Sequence, residues 1–174
     1  MTSRAALLAT ASAAALLACA GLGGVRPRYG PVPGSIALEM TGAPDVVTLA
    51  AAEELRSAGL LPQRVSAAEG YAESQWFDVS THGSSTESPF RGLDRVVKLR
   101  FFADPTAGHT HLAAEAVVAY AVDPSRPERE LERMVPEGHE GSVILKRILD
   151  RLKERFPSPV DTTKARRDSV RSEE

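Results

Sequence analysis

Hydrophobic and polar positions alternate in two registers along the middle of this chain, and the switch between them sets the expected fold. Val97, Leu99, Phe101 and Ala103 recur at every second position, with Lys98 and Arg100 between them. That period of two predicts a half-buried strand over 95–103. Leu112, Ala114, Ala116, Val118, Tyr120 and Val122 repeat the pattern opposite His109, His111, Ala113 and Glu115, predicting a second strand over 110–122. Asp104-Pro105-Thr106-Ala107-Gly108 joins them as a turn, so the pair reads as a hairpin. A shorter strand is expected over 35–40.

Helical spacing appears twice. Val47, Ala51, Leu55 and Ala58 share one helical face. Pro44 and Asp45 suit the first turn of that helix, and Gly59 followed by Leu60 suits its end. Leu145, Ile148, Leu149, Leu152 and Phe156 form a second stripe, with Ser142 as the expected cap and Pro157 as the stop. Between the first helix and the hairpin, 63–81 reads as one extended segment with mixed alternation: Tyr71, Glu73, Gln75, Phe77 and Val79 on one face, Ala72, Ser74, Trp76 and Asp78 on the other. Residues 81–92 read as a polar loop.

The order is strand, helix, strand, strand, strand, helix. One apolar face per strand and one stripe per helix predict an α+β two-layer sandwich. Its sheet is expected to be four-stranded and mostly antiparallel, with both helices on one face. The folded domain is placed at 35–156. The segment 157–174 has almost no apolar content beyond its prolines and valines and is expected to be a disordered tail.

The N-terminus carries a different signal. One positive charge, Arg4, precedes an apolar and small-residue run from Ala5 to Leu17. That layout belongs to a secretory signal, here residues 1–18. The run ends Leu16-Leu17-Ala18-Cys19, which resembles the lipobox of bacterial lipoprotein precursors. The resemblance implies cleavage before Cys19 and acylation of its sulfur, and so a partner in membrane lipid. With Ala20 rather than Asp after the cysteine, it implies the outer membrane, facing the periplasm, if the cell is Gram-negative. Two alternatives stand. Ala18-Cys19-Ala20 also fits ordinary cleavage after Ala20, which would give a soluble periplasmic protein. Ala5–Val25 could remain as an uncleaved span, although Gly23-Gly24 interrupts it and leucine is sparse. Residues 19–34, rich in Gly and Pro, are expected to be a flexible lipidated tether.

Composition narrows the function. The 174-residue chain has a net charge of −2, so no global basic field points to nucleic acid. Its single cysteine forbids an internal disulfide and a Cys-based zinc site. There is no P-loop, dinucleotide fingerprint, H-E-x-x-H or G-x-S-x-G motif, so no cofactor and no catalytic constellation is expected. Candidate surfaces remain. His109, His111 and Glu115 share a strand face and offer ligand types suited to zinc, which keeps a metal-binding protein or metal-dependent hydrolase as an alternative. Lys98 and Arg100 lie on the outer sheet face, which is expected to be solvated. Trp76 is the lone tryptophan. Lys146, Arg147 and Arg151 make the last helix basic, a surface for anionic polymer or lipid head groups. The favoured reading is a non-enzymatic envelope lipoprotein that binds a protein or an envelope polymer. The element order is similar to the lipopolysaccharide-assembly lipoprotein of the outer-membrane translocon, a likeness of layout without a shared motif.

Overall fold

The computed structural model describes residues 24–85, 94–121, 123 and 125–159. The expected signal segment (1–18), Cys19, Val122 and most of the C-terminal tail lie outside the described residues.

The fold is α+β, as expected, but its sheet is larger than four strands. The chain runs β1 (Ile36–Met40), α1 (Pro44–Ser57), β2 (Pro62–Ser66), β3 (Tyr71–Ser74), β4 (Phe77–Asp78), β5 (Gly83–Ser84), β6 (Val96–Thr106) and β7 (His109–Ala119). A 3-10 turn at Glu128–Leu131, β8 (Glu132–Met134) and α2 (Glu140–Arg155) follow. The central order is β1-β7-β6-β3-β2, all antiparallel. β8 pairs with the far end of β7, beyond β1, and β4 pairs with β6 beyond β3.

The expected single strand over 63–81 is therefore corrected to a hairpin plus a short separate strand. Gly70 makes the hairpin turn at φ +63°, where its carbonyl accepts from the Ala103 amide at 2.7 Å. β3 leaves β6 after Ser74. There the Ser74 hydroxyl accepts the Leu99 amide at 3.0 Å, replacing a ladder partner. The break shifts the alternation by one residue, so Ala72 and Phe77 both reach the main core. Mixed alternation in the sequence is the trace of that shift.

The β6–β7 hairpin is tighter than expected. Asp104, Pro105 and Thr106 pair with His111, Thr110 and His109, leaving only Ala107-Gly108 as the turn. β7 ends at Ala119, so Tyr120 is an exposed residue and not part of the core face.

The two helices pack on the face carrying Val97, Leu99, Phe101, Ala103, Leu112, Ala114, Ala116 and Val118. α1 ends as its sequence predicts: the Leu60 amide reaches the Leu55 carbonyl at 2.9 Å, with Gly59 at φ +81°. α2 starts two residues before the expected Ser142 cap. The His139 ring accepts from the Gly141 amide at 3.0 Å and caps the helix instead.

The constraint at Gly70 is directly testable. A Cβ there would stand 2.0 Å from the Ala103 carbonyl oxygen. Gly70→Ala is expected to lower stability by about 2 kcal/mol or more, through strain and lost sheet pairing. Gly59→Ala, with nothing near its Cβ, serves as a positive-φ control near about 1 kcal/mol. Urea denaturation midpoints of the two variants measure the difference.

Candidate functional site

The sheet face away from the helices is covered, not solvated, and it holds a buried charge network. Glu73, Arg100 and Glu115 sit in one cross-strand row over β3, β6 and β7. The Arg100 side chain is 3% exposed and Glu115 0%. Arg100 Nε donates to Glu73 Oε2 at 2.9 Å, Nη1 to Glu115 Oε1 at 3.0 Å, and both Nη atoms to Glu132 at 2.6 and 2.7 Å. Arg129, from the 3-10 turn, donates to Glu115 and Glu132. Three carboxylates thus face Arg100, Arg129 and Lys98. Buried charges persist when they are paired and hydrogen-bonded, a condition that Arg100, Arg129, Glu115 and Glu132 meet.

The next row is aromatic. Tyr71 and Phe102 lie with ring centroids 5.2 Å apart and pack with Ala113 and Tyr29. The Tyr71 hydroxyl donates to Glu73 Oε2.

The lid on this network is the segment expected to be a flexible tether. Residues 24–34 lie along the outer face, and the reason is specific pairing. The Val32 amide donates to Glu115 Oε2 at 2.7 Å, and Arg129 Nη2 donates to the Gly30 carbonyl at 2.6 Å. The Tyr29 ring sits beside the guanidiniums of Arg129 and Arg100, at 4.5 and 5.7 Å. Arg26 grips Asp104 through two bonds of 2.7 and 3.0 Å, and its amide donates to Glu69. Pro27, Pro31 and Pro33 stiffen this strap and reduce the entropy lost on docking.

The other predicted site residues are dispersed. His109 and His111 are paired with Glu39 of β1 at 2.9 and 2.7 Å. The His111 bond and the two imidazole charges hold the Glu39 carboxyl below the usual range. Glu115 is turned instead to Arg100, Arg129 and Val32, so the structure does not assemble the His109–His111–Glu115 set. No group of three metal-ligating side chains occurs among the described residues. On α2, Lys146 pairs with Glu137 and Arg151 with Glu54, while Arg147 is exposed. These exposed pairs contribute little to stability, yet they neutralise much of the basic surface read from the sequence.

Trp76 and Lys98 do come together. Lys98 Nζ stands 4.6 Å from the Trp76 ring centroid, and Trp76 Nε1 donates to Glu128 at 3.2 Å. Lys98 and Glu128, which both touch Trp76, line a cleft of about 270 Å³ together with Tyr29, Arg64, Glu73 and Arg129, among others. Sequence reasoning missed Glu73, Arg129, Glu132 and Tyr29 here.

The electrostatics follow from burial and pairing. Burial pushes Glu73 up, but the Lys98 charge, the Tyr71 hydroxyl and Arg100 outweigh it and hold the carboxyl below the usual range. Burial alone disfavours the Arg100 cation, yet its bonds and charge interaction with Glu132 raise it further. Burial, then the bond to Glu73, pushes the Tyr71 phenol far up, so it stays a donor. Lys98 is lowered by burial, against the pull of Glu73. Both oxygens of Glu115 and of Glu132 accept from arginine or backbone donors.

Two outcomes follow. Arg100→Ala leaves buried carboxylates uncompensated and is expected to cost about 3–5 kcal/mol, measured by urea unfolding. The depressed Glu73 carboxyl contributes stability that is fully present above its unfolded value, near about 4.3, and is lost as pH falls through its lower folded value. Glu73→Gln should therefore be less stable than the parent chain at pH 7, with the gap narrowing in acid below about pH 4. Denaturation series at both pH values check the sign.

Compared with known proteins, the chain matches no family model, and no curated protein matches it.

Proposed function

We propose that this chain is an exported bacterial lipoprotein, acylated at Cys19, whose α+β domain acts as a non-enzymatic binding or assembly-accessory module at the membrane surface. In a Gram-negative cell it would face the periplasm from the outer membrane. The sequence Leu16-Leu17-Ala18-Cys19, after the apolar run, supports the address. The observation that carries the rest is the docked strap. Arg26 is pinned to Glu69 and Asp104 only seven residues after Cys19. At full extension seven residues span at most about 25 Å. An anchor at Cys19 would therefore hold the folded body close to the bilayer rather than let it range on a long leash.

The same geometry gives the module a defined face. The strap, the 3-10 turn and β8 cover the sheet with a balanced charge network, and the cleft beside them carries the unspent polar groups. The partners that fit this reading are membrane lipid through the acylated cysteine and an envelope protein or polymer. Nothing in the charge pattern favours nucleic acid, and the net charge of −2 argues against it.

Intact mass of the mature protein tests the address. The expected result is an N-terminus at Cys19 with the added mass of acyl chains, and loss of both in Cys19→Ser. An N-terminus at Gly21 would make the protein soluble and overturn the anchor. So would a Cys19→Ser variant that matures normally and still partitions with membranes.

A further inference from the structure

Among the described residues of the outer face, one buried carboxylate oxygen accepts no hydrogen bond and one neighbouring ammonium donates none. Lys98 is 7% exposed. Its ammonium stands 4.6 Å from the Trp76 ring centroid and keeps contact with solvent, and among the described residues neither a hydrogen bond nor an ion pair reaches its Nζ. Glu73 Oε1 is buried and accepts no hydrogen bond. Its nearest cation is Arg64 Nε at 3.5 Å, an ion-pair distance without hydrogen-bond geometry. Both side chains line the same cleft of about 270 Å³.

Leaving a buried carboxylate oxygen unsatisfied is costly, and native proteins rarely do so without a purpose. The rest of this network shows the contrast. Arg100 spends its donors on Glu73, Glu115 and Glu132, and Tyr71 completes Glu73 Oε2. Only the cleft side of the network is open. There the unspent groups are one acceptor, Glu73 Oε1, and one compact cation, Lys98. Arg64 waits at the mouth with half of its side chain exposed. A simple anion would meet Lys98 and Arg64 but be repelled by Glu73. A simple cation would meet Glu73 but be repelled by Lys98. A molecule bearing both signs satisfies both.

We propose that this cleft is a binding site for a small zwitterion, a primary ammonium a few bonds from a phosphate or carboxylate. The ammonium takes Glu73 Oε1 as Arg64 swings aside, and the anionic group takes Lys98 and the displaced Arg64. Tyr29 and Glu128 also line the cleft. No bond is made or broken. Free amino acids and the ethanolamine head groups of phospholipids share this chemistry. The site belongs to the folded body, and it stands whether or not Cys19 is acylated.

The test uses the full chain in non-ionic detergent, titrated by calorimetry with O-phosphoethanolamine and β-alanine, and in parallel with methyl phosphate and ethylamine. Quenching or enhancement of the lone Trp76 gives a second readout. Saturable binding of a zwitterion, with either single-charge probe at least about tenfold weaker, is the expected result. Lys98→Met should weaken zwitterion binding by about tenfold or more, since a charge-assisted hydrogen bond is lost. That variant removes a buried charge without breaking a hydrogen bond, so its fold is expected to hold. Arg64→Gln, on an exposed side chain, provides a second variant with a smaller loss. Vesicles with phosphatidylethanolamine compete with the free probe if a head group is the occupant, and leave it unaffected if the ligand is soluble. Equal binding of methyl phosphate and O-phosphoethanolamine, no saturable binding of either zwitterion, or unchanged affinity in Lys98→Met overturns the proposal.

Discussion

The outer half of this molecule depends on one guanidinium. Arg100 lies in the middle of the central strand, on the face opposite the helices, where an unpaired cation could not remain. Its planar fork satisfies three carboxylates at once, from β3, β7 and β8. Those carboxylates then need donors of their own. Arg129 supplies some, Tyr71 another, and the Val32 amide a fourth. Each demand recruits a segment distant in sequence, and the last one recruited is the strap. The main core between sheet and helices needs none of this: it is apolar and closed by α1 and α2. The protein therefore has two faces held by different physics, an apolar one that drives folding and a polar one that fixes register and covers the sheet.

Much of the first face was legible in the sequence. The β6–β7 hairpin, β1, α1 with its Gly59–Leu60 ending, and the apolar stripe of α2 each announce themselves by a single clean period. What failed were the places where a period is interrupted. The 63–81 segment contains a turn at Gly70 and a register break at Ser74, and no one alternation fits both sides of it. The short strands β4, β5 and β8 are two or three residues long, too brief to carry a period at all. β8 in particular hides in the run Glu128–Arg133, whose charge reads as a solvated loop. It is a strand because Glu132 pairs into Arg100, a reason that only tertiary structure supplies.

The second face was half legible. Lys98, Arg100 and Glu115 were placed on one side of the hairpin, and they are. Their burial was not foreseen, because charge on one side of an antiparallel sheet normally faces water. A contrary signal existed. Phe102, Ala113 and Val117 fall on that same side, and an open face has no use for them. Two-sided apolar content in a long strand indicates cover on both faces. The cover itself was hidden by composition. Arg26-Pro27-Arg28-Tyr29-Gly30-Pro31-Val32-Pro33-Gly34 has the makeup of a linker, and proline and glycine do set its conformation. Its docking depends on Arg26, Tyr29 and the Val32 amide finding partners 43 to 100 residues away in the chain, about which composition is silent.

Strap and cleft share their parts, and this ties them energetically. Tyr29 of the strap lines the cleft and stacks on Arg129 and Arg100, while Arg100 holds Glu73, whose free oxygen faces the cleft side. A group that binds at Glu73 changes the charge that Arg100 and Tyr29 experience. By linkage, whatever it does to strap docking, strap docking does in equal measure to its affinity. The coupling runs through two packed side chains and not through a change of fold. Under the proposed acylation of Cys19, the polar face would be connected, by direct contact through the strap, to the point where the domain is held.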